Sequence, residues 1–477
     1  MKLSLSWIRD YVKIPEDIDL KKLAYDLTMS TVEVEDVEDL ARRFDNMVVG
    51  VIEKIEPHPN ADKLRVCMVD IGDGELKTIV CGGINLMEGM RVAVSCPGAV
   101  VRWHGEGEPV VIKNSKLRGV ASYGMICASD EIGLGDLFPA SQEAEILDLS
   151  AFEVPAGTSL ADALDMNDVL LEIDNKSMTN RPDLWGHYGI ARELAALYNL
   201  PLAEIKPFHT DVQSDFHVEI AEPDRCRRYI GVEMSGLEVK PSPYWMQSRI
   251  WKVGMRPINA LVDITNYVML ATGNPTHAFD ADNITDHIVV RHAEEGEKLV
   301  LLNEKELALC TDDLVITDSE GPVALAGVMG GAKDSILPDT KRVILEVANF
   351  EAAGIRRTAL RYDTRTEASA RYEKAIDPER CDQALALSMQ YFQELYPGVQ
   401  VTGYCDNYVN KLERAQIDVD LGWLAKRLGK NLSNDVIQAK LELLGFDVQI
   451  EGGNMHVTAP SWRSTGDISI KDDVMEE

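Results

Sequence analysis

Residues 56–72 read EPHPNADKLRVCMVDIG and lie in the stretch that decides the fold of the first third of the chain. Around them, apolar and polar residues alternate in runs of eight or nine residues, at 48–56, 64–72, 76–83 and 90–98. Turn signals such as Gly72-Asp73-Gly74 separate the runs. Alternation with period two predicts antiparallel strands. About five such strands in roughly 100 residues predict a small barrel of the oligonucleotide-binding (OB) type.

The composition of the 477-residue chain limits its class. The length predicts three or four domains at roughly 150 residues each, and 45% hydrophobic against 27% charged residues predicts folded cores. Asp and Glu number 79 against 48 Lys and Arg, for a formal net charge of -31. Because this charge repels phosphate, it argues against broad electrostatic binding to nucleic acid or anionic membranes and favours local contacts.

Cysteine spacing and hydropathy predict a cytoplasmic protein without a membrane segment. None of the eight cysteines stands two or three positions from another, so zinc-knuckle spacing is absent. Their low density predicts reduced thiols, since a disulfide scaffold would be denser. Charge at Arg9, Asp10 and Lys13 interrupts the N-terminus, so we expect no signal peptide. No uncharged apolar run reaches the ~18 residues of a membrane span.

The blocks IVCGGIN (79–85), PGAVV (97–101) and IKNSKLRGVASYGMICASDEIGL (112–134) follow the opening stretch. The last block places Lys113, Lys116 and Arg118 within six residues, enough to follow a phosphate backbone. Ser122 lies in the polar turn beyond them. Any one of these cations alone is more typical of a solvated strand end. The ordered set of blocks resembles the tRNA-binding OB domain that is appended to several aminoacyl-tRNA synthetases.

Polar residues recur within the apolar sequence MRPINALVDITNYVML (255–270). Arg256, Asn259, Asp263 and Asn266 follow one another at spacings of three, four and three. This spacing predicts one face of a helix beginning near Pro257. Such a face lines a polar cavity or forms a buried network.

Two further groups point to a ligand pocket. His277 follows the proposed helix on a loop, and Gly330 belongs to a glycine-rich stretch that allows close backbone approach to a ligand. Glu346 lies inside an apolar strand, where an unpaired carboxylate would be costly. Its partner would be Arg256 or Arg371 in a structural ion pair, or a substrate hydroxyl. The residues alone leave both interpretations open.

The tail, residues 408–477, predicts two helices and a hairpin that turns at Gly452-Gly453. This order resembles a winged-helix-like module. The final residues ISIKDDVMEE (468–477) predict the opening of a helix with acidic residues in its first turns. Because no C-cap signal follows, we expect the chain to be the front part of a longer protein.

Several blocks in one order carry a family resemblance. With the blocks above they are KLSLSWIRDYV (2–12), SMTNRPDLWGHYGIARELAAL (177–197), MRPINALVDITNYVM (255–269), NPTHAFD (274–280), LAGVMGG (325–331), ILEVANF (344–350) and TEASARYEKAIDP (366–378). From residue 1 to 477 the chain resembles the N-terminal portion of bacterial phenylalanine–tRNA ligase β subunits. The resemblance implies an α+β multidomain fold: an OB barrel (41–149) inserted in a small α/β domain (1–40 with 150–200), a mixed α/β editing domain (210–400) and the winged-helix-like tail (408–477).

The resemblance also implies an editing function. In that family the central domain hydrolyses tyrosine mis-attached to tRNA(Phe), and the pocket positions match His277, Gly330, Glu346, Thr366 and Ala368. To these we add Arg256 and Asn259 as candidates from the predicted polar helix face. The alternative is a non-catalytic tRNA-binding or scaffolding protein with a vestigial pocket.

The same family shares a Mg²⁺ site with its α subunit, and its carboxylates match Asp467, Asp473, Glu476 and Glu477. We expect this site to be incomplete without that partner, and Ser464-Thr465-Gly466 departs from the expected link before Asp467. The alternative for these carboxylates is an acidic first helical turn. The implied assembly is an (αβ)₂ tetramer that binds tRNA(Phe), with ATP used by the whole enzyme and not bound by this portion.

Overall fold

The computed structural model describes residues 1–333 and 335–477, and this part is mixed α+β as predicted. The alternating runs near the N-terminus form a five-stranded antiparallel sheet. Val80 N–H donates to Ser122 Oγ at 3.0 Å and Tyr123 N–H to Thr78 O at 2.8 Å, so the sheet nearly closes into a barrel. In order across the sheet, its strands are Met125–Ile126, Arg91–Ser95, Met47–Pro57, Arg65–Asp70 and Leu76–Cys81. Two hairpins extend from it, Val100–Val101 with Val110–Val111 and Ser115–Leu117 with Val120–Ser122.

Segments from both sides of the barrel meet in one three-stranded sheet. In this sheet the strand Val169–Ile173 pairs antiparallel with Lys2–Ser4 on one edge and with Val34–Asp39 on the other. Leu40 N–H donates to Asp168 O at 3.0 Å where the chain leaves this sheet and returns to it. The accompanying helices are Leu5–Tyr11, Leu20–Ser30, Leu160–Ala163 and His187–Tyr198.

The central domain stacks two sheets. The four-stranded sheet has the order Thr276–Asp280, Val343–Phe350, Cys226–Ser235 and Gln400–Tyr408. The five-stranded sheet has the order Val218–Ile220, Ile288–His292, Leu314–Asp318, Gly321–Leu325 and Met329–Gly330, beside the hairpin Lys298–Val300 with Glu306–Ala308. The helices are Tyr244–Lys252, Ala260–Thr272, Ala352–Arg361, Glu367–Tyr372 and Arg380–Leu395.

The strand Val343–Phe350 is buried along its whole length because both of its faces are covered. Val343, Leu345 and Val347 pack into the core shared with the helices, whereas Ile344 and Ala348 pack toward the second sheet. Successive side chains of a strand point to opposite faces. Glu346 therefore faces the space between the two sheets.

The helix predicted to begin near Pro257 instead begins at Ala260, so this boundary was wrong. Asn259 is its N-cap: its Oδ1 accepts hydrogen bonds from the N–H groups of Leu261 and Val262, both at 3.1 Å. Arg256 lies before the helix and is exposed. Asn259 has an extended backbone (φ −157°, ψ 163°) and is among the residues preferred at this capping position, which explains why the helix starts after it.

The tail forms the predicted two helices and hairpin, and adds a strand. Its sheet has the order Gln416–Asp420, Asn454–Thr458 and Asp447–Glu451, and its helices are Leu421–Leu428, Asn434–Leu443 and Lys471–Glu476. The hairpin turns through Gly452 and Gly453 with positive φ angles of 57° and 87°, which glycine adopts without strain. Within residues 1–333 and 335–477, the helices are all too short or too polar to cross a bilayer.

Candidate functional site

A cavity of about 70 Å³ lies between the two sheets of the central domain, beside the helix Glu367–Tyr372. Strands from both sheets, the segment 327–330 and this helix contribute its walls. Four of the residues predicted for the pocket line this one cavity: His277, Gly330, Glu346 and Ala368. Its other lining residues are Pro275, Thr276, Ile316, Ala324, Leu325, Gly327, Val328, Met329 and Tyr372. The cavity is therefore largely apolar, with one carboxylate and one imidazole.

His277 and Glu346 stand directly opposite each other on paired antiparallel strands. Desolvation lowers the pKa of His277 to about 4, so its imidazole is neutral near pH 7. Burial raises the pKa of Glu346 to about 7, although a hydrogen bond from Tyr229 opposes the shift. The Tyr229 hydroxyl donates to Glu346 Oε2 at 2.9 Å. The site thus pairs a neutral base with a carboxyl group that titrates near physiological pH.

Gly330 brings backbone against the imidazole of His277. A Cβ atom at position 330 would lie 2.7 Å from both Cε1 and Nε2 of His277. The Gly330 carbonyl accepts from Leu302 N–H at 3.0 Å, which fixes this segment. Only glycine leaves the imidazole where it is, so the residue is required for space.

Thr366 is placed at the pocket as a helix cap. Its Oγ1 accepts from Ser369 N–H at 3.1 Å and donates to Val328 O at 2.8 Å. The hydroxyl therefore fastens the N-terminus of the helix Glu367–Tyr372 to the segment that leads to Gly330. The methyl group of Ala368, in the first turn of this helix, lines the cavity itself.

Arg256 and Asn259 are not brought to this cavity. They lie before the N-terminus of the helix Ala260–Thr272, whereas His277 follows its C-terminus. A helix of this length spans roughly 20 Å. The polar helix face predicted from these two residues therefore does not contribute to the pocket.

The partner of Glu346 is neither of the two arginines considered from the sequence. Arg371 Nε donates to Trp185 O at 3.1 Å, and its Nη1 donates to Glu367 Oε2 at 2.7 Å. Tyr229 was missed because it lies 117 residues from Glu346 along the chain. The sequence does place Tyr229 in a run that forms the strand Cys226–Ser235. Its contact with Glu346, however, depends on the register between two strands, which the sequence does not supply.

The barrel carries the three cations of the predicted RNA site on its surface. Lys113, Lys116 and Arg118 are exposed, and in the part of the chain that the structure describes none of them pairs with a carboxylate within 4.0 Å. His58 Nε2 lies 3.0 Å from Leu117 O, and Asn60 Nδ2 donates to Arg118 O at 3.1 Å. The opening loop therefore holds the hairpin that presents Lys116 and Arg118.

Ser122 plays a different part from the three cations. It is buried, with 2% of its surface exposed, and it belongs to the contact that closes the barrel. Its hydroxyl also donates to Gly124 O at 3.3 Å. Ser122 therefore supports the shape of the barrel and does not present its side chain to a ligand on the surface.

The four tail carboxylates line one cleft, and three of them, Asp467, Asp473 and Glu477, accept hydrogen bonds from protein donors. Arg463, 3% exposed, contacts Asp467 through Nε and Glu477 through both terminal nitrogens. Asn180 Nδ2 donates to Asp467 Oδ1 at 2.8 Å. Asp473 accepts from the N–H groups of Ser469 at 2.8 Å and Ile470 at 2.9 Å.

These contacts do not suit the predicted Mg²⁺ site of Asp467, Asp473, Glu476 and Glu477. Desolvation disfavours the charge of Asp473, but its backbone hydrogen bonds outweigh this and lower its pKa. Glu476 is exposed. Among the residues that the structure describes, no three His, Cys, Asp or Glu side chains converge as a metal-binding group. In this arrangement a guanidinium occupies the position among the carboxylates that a cation would need.

Three domain families match the chain. Residues 47–158 match the family described as "Putative tRNA binding domain", residues 225–397 match "B3/4 domain" and residues 417–477 match "tRNA synthetase B5 domain". The first contains the surface cations, the second contains the cavity, and the third contains the tail carboxylates. The three matches follow the order of the structural units along the chain.

Full-length relatives cover every part of this chain. The phenylalanine–tRNA ligase β subunit of Halalkalibacterium halodurans is 37% identical over 100% of the chain, and that of Oceanobacillus iheyensis is also 37% identical over 100%. The chain spans 58% of the length of each. A solved N-terminal fragment of the phenylalanyl-tRNA synthetase β subunit from Pyrococcus horikoshii overlaps 65% of this chain and 86% of its own length at 19% identity, with a TM-score of 0.35.

Proposed function

Because this chain belongs to the family of phenylalanine–tRNA ligase β subunits and corresponds to its N-terminal portion, we propose that it supplies tRNA binding and hydrolytic editing to that enzyme. The substrate is tyrosine esterified to tRNA(Phe). One observation carries the editing proposal: Glu346 is the acidic residue of an otherwise largely apolar cavity, opposite a neutral His277. The cavity belongs to the domain that matches the B3/4 family.

The chemistry of discrimination explains why a carboxylate is needed here. An apolar pocket that accepts phenylalanine cannot strongly reject the added hydroxyl of tyrosine, so a second site must read that hydroxyl. Tyr229 occupies one oxygen of Glu346, and the other is left to accept a hydrogen bond from the tyrosine phenol. Phenylalanine would leave this buried acceptor unpaired, which is unfavourable.

Hydrolysis of the ester requires a positioned water and donors for the developing oxyanion. His277 is the candidate to hold the water, because its neutral imidazole has a lone pair available. Backbone N–H groups near Gly330 are the candidate oxyanion donors. Thr366 acts by holding this backbone segment in place through Val328. None of these roles requires a nucleophilic triad.

The rest of the assembly is proposed from the family. The partner is the α subunit, in an (αβ)₂ tetramer that binds tRNA(Phe) in the cytoplasm. We propose that the whole enzyme uses ATP and Mg²⁺, and we place ATP-dependent activation of phenylalanine outside this chain. The four tail carboxylates would bind Mg²⁺ only after rearrangement, because Arg463 occupies two of them here.

The editing proposal is tested by following ester loss from tyrosyl-tRNA(Phe) and phenylalanyl-tRNA(Phe) with the whole chain. We expect faster loss of the tyrosyl ester, a reduced rate in His277→Ala and reduced discrimination in Glu346→Ala. Glu219→Ala, an exposed glutamate on another strand of the domain, serves as the matched control. Rates equal to buffer, with RNA binding retained, would instead indicate a non-catalytic tRNA-binding protein.

RNA binding has its own test at the barrel. Lys116→Ala is expected to weaken tRNA binding uniformly across sequences and to reduce the slope of log affinity against log salt by about one. Fluorescence anisotropy at several salt concentrations measures both quantities. Lys426→Ala, which removes an exposed cation from the tail, is the control. An unchanged affinity and salt slope in Lys116→Ala would exclude this residue from the RNA contact.

A further inference from the structure

The geometry points to Tyr229 as a positioning residue that determines how Glu346 reads the substrate hydroxyl, an inference that rests on the proposed editing function. Tyr229 does not line the cavity and has no exposed surface. It reaches the site only through its hydroxyl, which donates to Glu346 Oε2. Its influence on the substrate must therefore pass through the carboxylate.

The strand register explains why Tyr229 is the residue that reaches Glu346. In the central sheet Tyr229 pairs with Ala348, two positions from Glu346 on the same face of the strand. Such diagonal neighbours on adjacent antiparallel strands are within reach of an aromatic side chain. On the other side of Glu346, His277 is the direct cross-strand neighbour. One face of three adjacent strands thus supplies the donor, the carboxylate and the imidazole.

The residue directly opposite Glu346 on the Tyr229 strand is Gly231. A Cβ atom there would lie 2.8 Å from the ring of Phe216, which covers this position. This arrangement places no polar side chain at the direct cross-strand position on this side of the carboxylate. Within the described residues, the side-chain oxygens of Glu346 therefore accept their hydrogen bond from Tyr229, the diagonal neighbour.

A glutamate side chain without a hydrogen-bond partner would rotate among several conformers, which weakens any contact made by one of its oxygens. The hydrogen bond from Tyr229 fixes Oε2 and leaves Oε1 as the acceptor available to a ligand. This preorganised carboxylate discriminates between tyrosine and phenylalanine, which differ by a single phenolic hydroxyl. Without the bond, the same carboxylate would turn and accept hydrogen bonds from water as readily as from substrate.

Tyr229→Phe tests this inference, because it removes one oxygen and keeps the ring. We expect the ratio of kcat/KM for tyrosyl-tRNA(Phe) to that for phenylalanyl-tRNA(Phe) to fall about tenfold, as for loss of a hydrogen bond to a charged group. The rate on the phenylalanyl ester should stay the same. An unchanged ratio, with the tyrosyl ester still hydrolysed, would overturn the role of Tyr229 alone. No hydrolysis by the unmodified chain would overturn the proposed function instead.

Tyr396→Phe is the matched control, because this tyrosine is also buried and its hydroxyl donates to a carbonyl, Glu238 O, at 3.0 Å. It removes the same atom from a residue that does not line the cavity. If the ratio falls equally in both variants, the effect arises from a general loss of packing in the domain. A fall in Tyr229→Phe alone supports the inference.

The pH profile supplies a readout that a merely structural role would not move. The titratable groups near Glu346 are Tyr229, Tyr372 and Cys226, whose pKa values its negative charge helps to raise. His277 faces Glu346 from the neighbouring strand. Losing the hydroxyl donor should move the midpoint of the discrimination profile to higher pH. An unmoved midpoint would contradict the inference.

A double-mutant cycle gives a second test of whether Tyr229 acts through Glu346. Glu346→Gln already alters the acceptor, so adding Tyr229→Phe in that background should change the ratio no further. Additive losses in the double variant would show that the tyrosine acts independently of Glu346 and would overturn the inference.

Discussion

Two buried carboxylate sites in this molecule have opposite surroundings. In the central cavity, Glu346 accepts one hydrogen bond from a neutral tyrosine hydroxyl, and burial raises its pKa to about 7. In the tail, Asp467 and Glu477 both contact the guanidinium of the buried Arg463. The side chains at both sites are shielded from solvent, but only the tail supplies a cationic partner.

The difference teaches how surroundings assign a role to the same chemical group. A buried carboxylate without a counter-charge is poised between its protonated and ionised forms and has an oxygen left for a ligand. A carboxylate held by an arginine has its charge balanced and its oxygens engaged, which suits structure better than binding. The cavity is therefore the better candidate for chemistry, and the tail for holding elements together.

Arg463→Met should have the largest effect, because it leaves Asp467 and Glu477 without their cation. Breaking a buried ion pair by removing one partner costs about 3–5 kcal/mol of unfolding free energy. Urea denaturation followed by tryptophan fluorescence measures the loss. Arg427→Met removes an exposed arginine paired with Asp472 in the same module and should cost less than about 1 kcal/mol. Equal losses in the two variants would erase the distinction between buried and exposed pairs.

Glu346→Gln should change the pH dependence of stability. The pKa of Glu346 is about 7 in the folded chain and its ordinary value is 4.5, so the folded state holds a proton that the unfolded state releases between these values. Its stabilising contribution is therefore complete below pH 4.5 and is lost as pH rises through 7. Relative to the unmodified chain, Glu346→Gln should gain about 2.5 kcal/mol of unfolding free energy between pH 5 and pH 8.

Denaturant titrations of both chains at several pH values measure this gain. Glu219→Gln, which changes an exposed glutamate, should follow the unmodified chain throughout. A stability difference between Glu346→Gln and the unmodified chain that does not vary with pH would contradict a poised carboxylate in the cavity.

Gly330→Ala should have a smaller effect on stability and a clear effect on the site. The new methyl group would overlap the imidazole of His277, and overpacking of this kind costs about 1–3 kcal/mol. We expect a displaced His277 and slower hydrolysis of the tyrosyl ester, measured together with the unfolding free energy. Gly398→Ala, where a Cβ atom meets nothing within 4 Å, should leave both unchanged. Full activity in Gly330→Ala would show that His277 tolerates displacement.

Magnesium should have the smallest effect. Because Arg463 already contacts both Asp467 and Glu477, millimolar MgCl₂ should not raise the melting temperature of the isolated chain above that in NaCl of equal ionic strength. A ligand that binds only the folded state raises stability with its concentration. A rise in melting temperature that depends on MgCl₂ concentration would show that the tail binds the cation despite Arg463.

Local patterns were sufficient for much of the fold. The alternation at 48–56 and 64–72 predicted the strands that the structure places at Met47–Pro57 and Arg65–Asp70. The start of the helix after Met255 was predicted too early, because spacing was weighed above the capping preference of Asn259. Periodicity identifies an element, whereas its ends depend on single residues.

The residues of the candidate site also divide into those that the sequence identifies and those that only the fold identifies. Its central residues, His277 and Glu346, stand out because polar groups in apolar sequence are conspicuous. Tyr229 does not stand out, since its contact exists only through the register of two strands far apart in sequence. Arg463 lies four residues before Asp467, a spacing that could have indicated their pairing. Its contact with Glu477 depends on how the last helix folds back.

The insertion of the barrel also affects how the chain assembles. The paired strands Val34–Asp39 and Val169–Ile173 lie about 130 residues apart, and closing a loop of that length is entropically costly. Val49 N–H donates to Thr158 O at 2.9 Å, so a folded barrel brings its two ends together. If the barrel folds first, the loop left to close is roughly 20 residues, and the entropic cost falls by about 1.7 kcal/mol. The barrel then acts as an intramolecular clamp that speeds the folding of the domain around it.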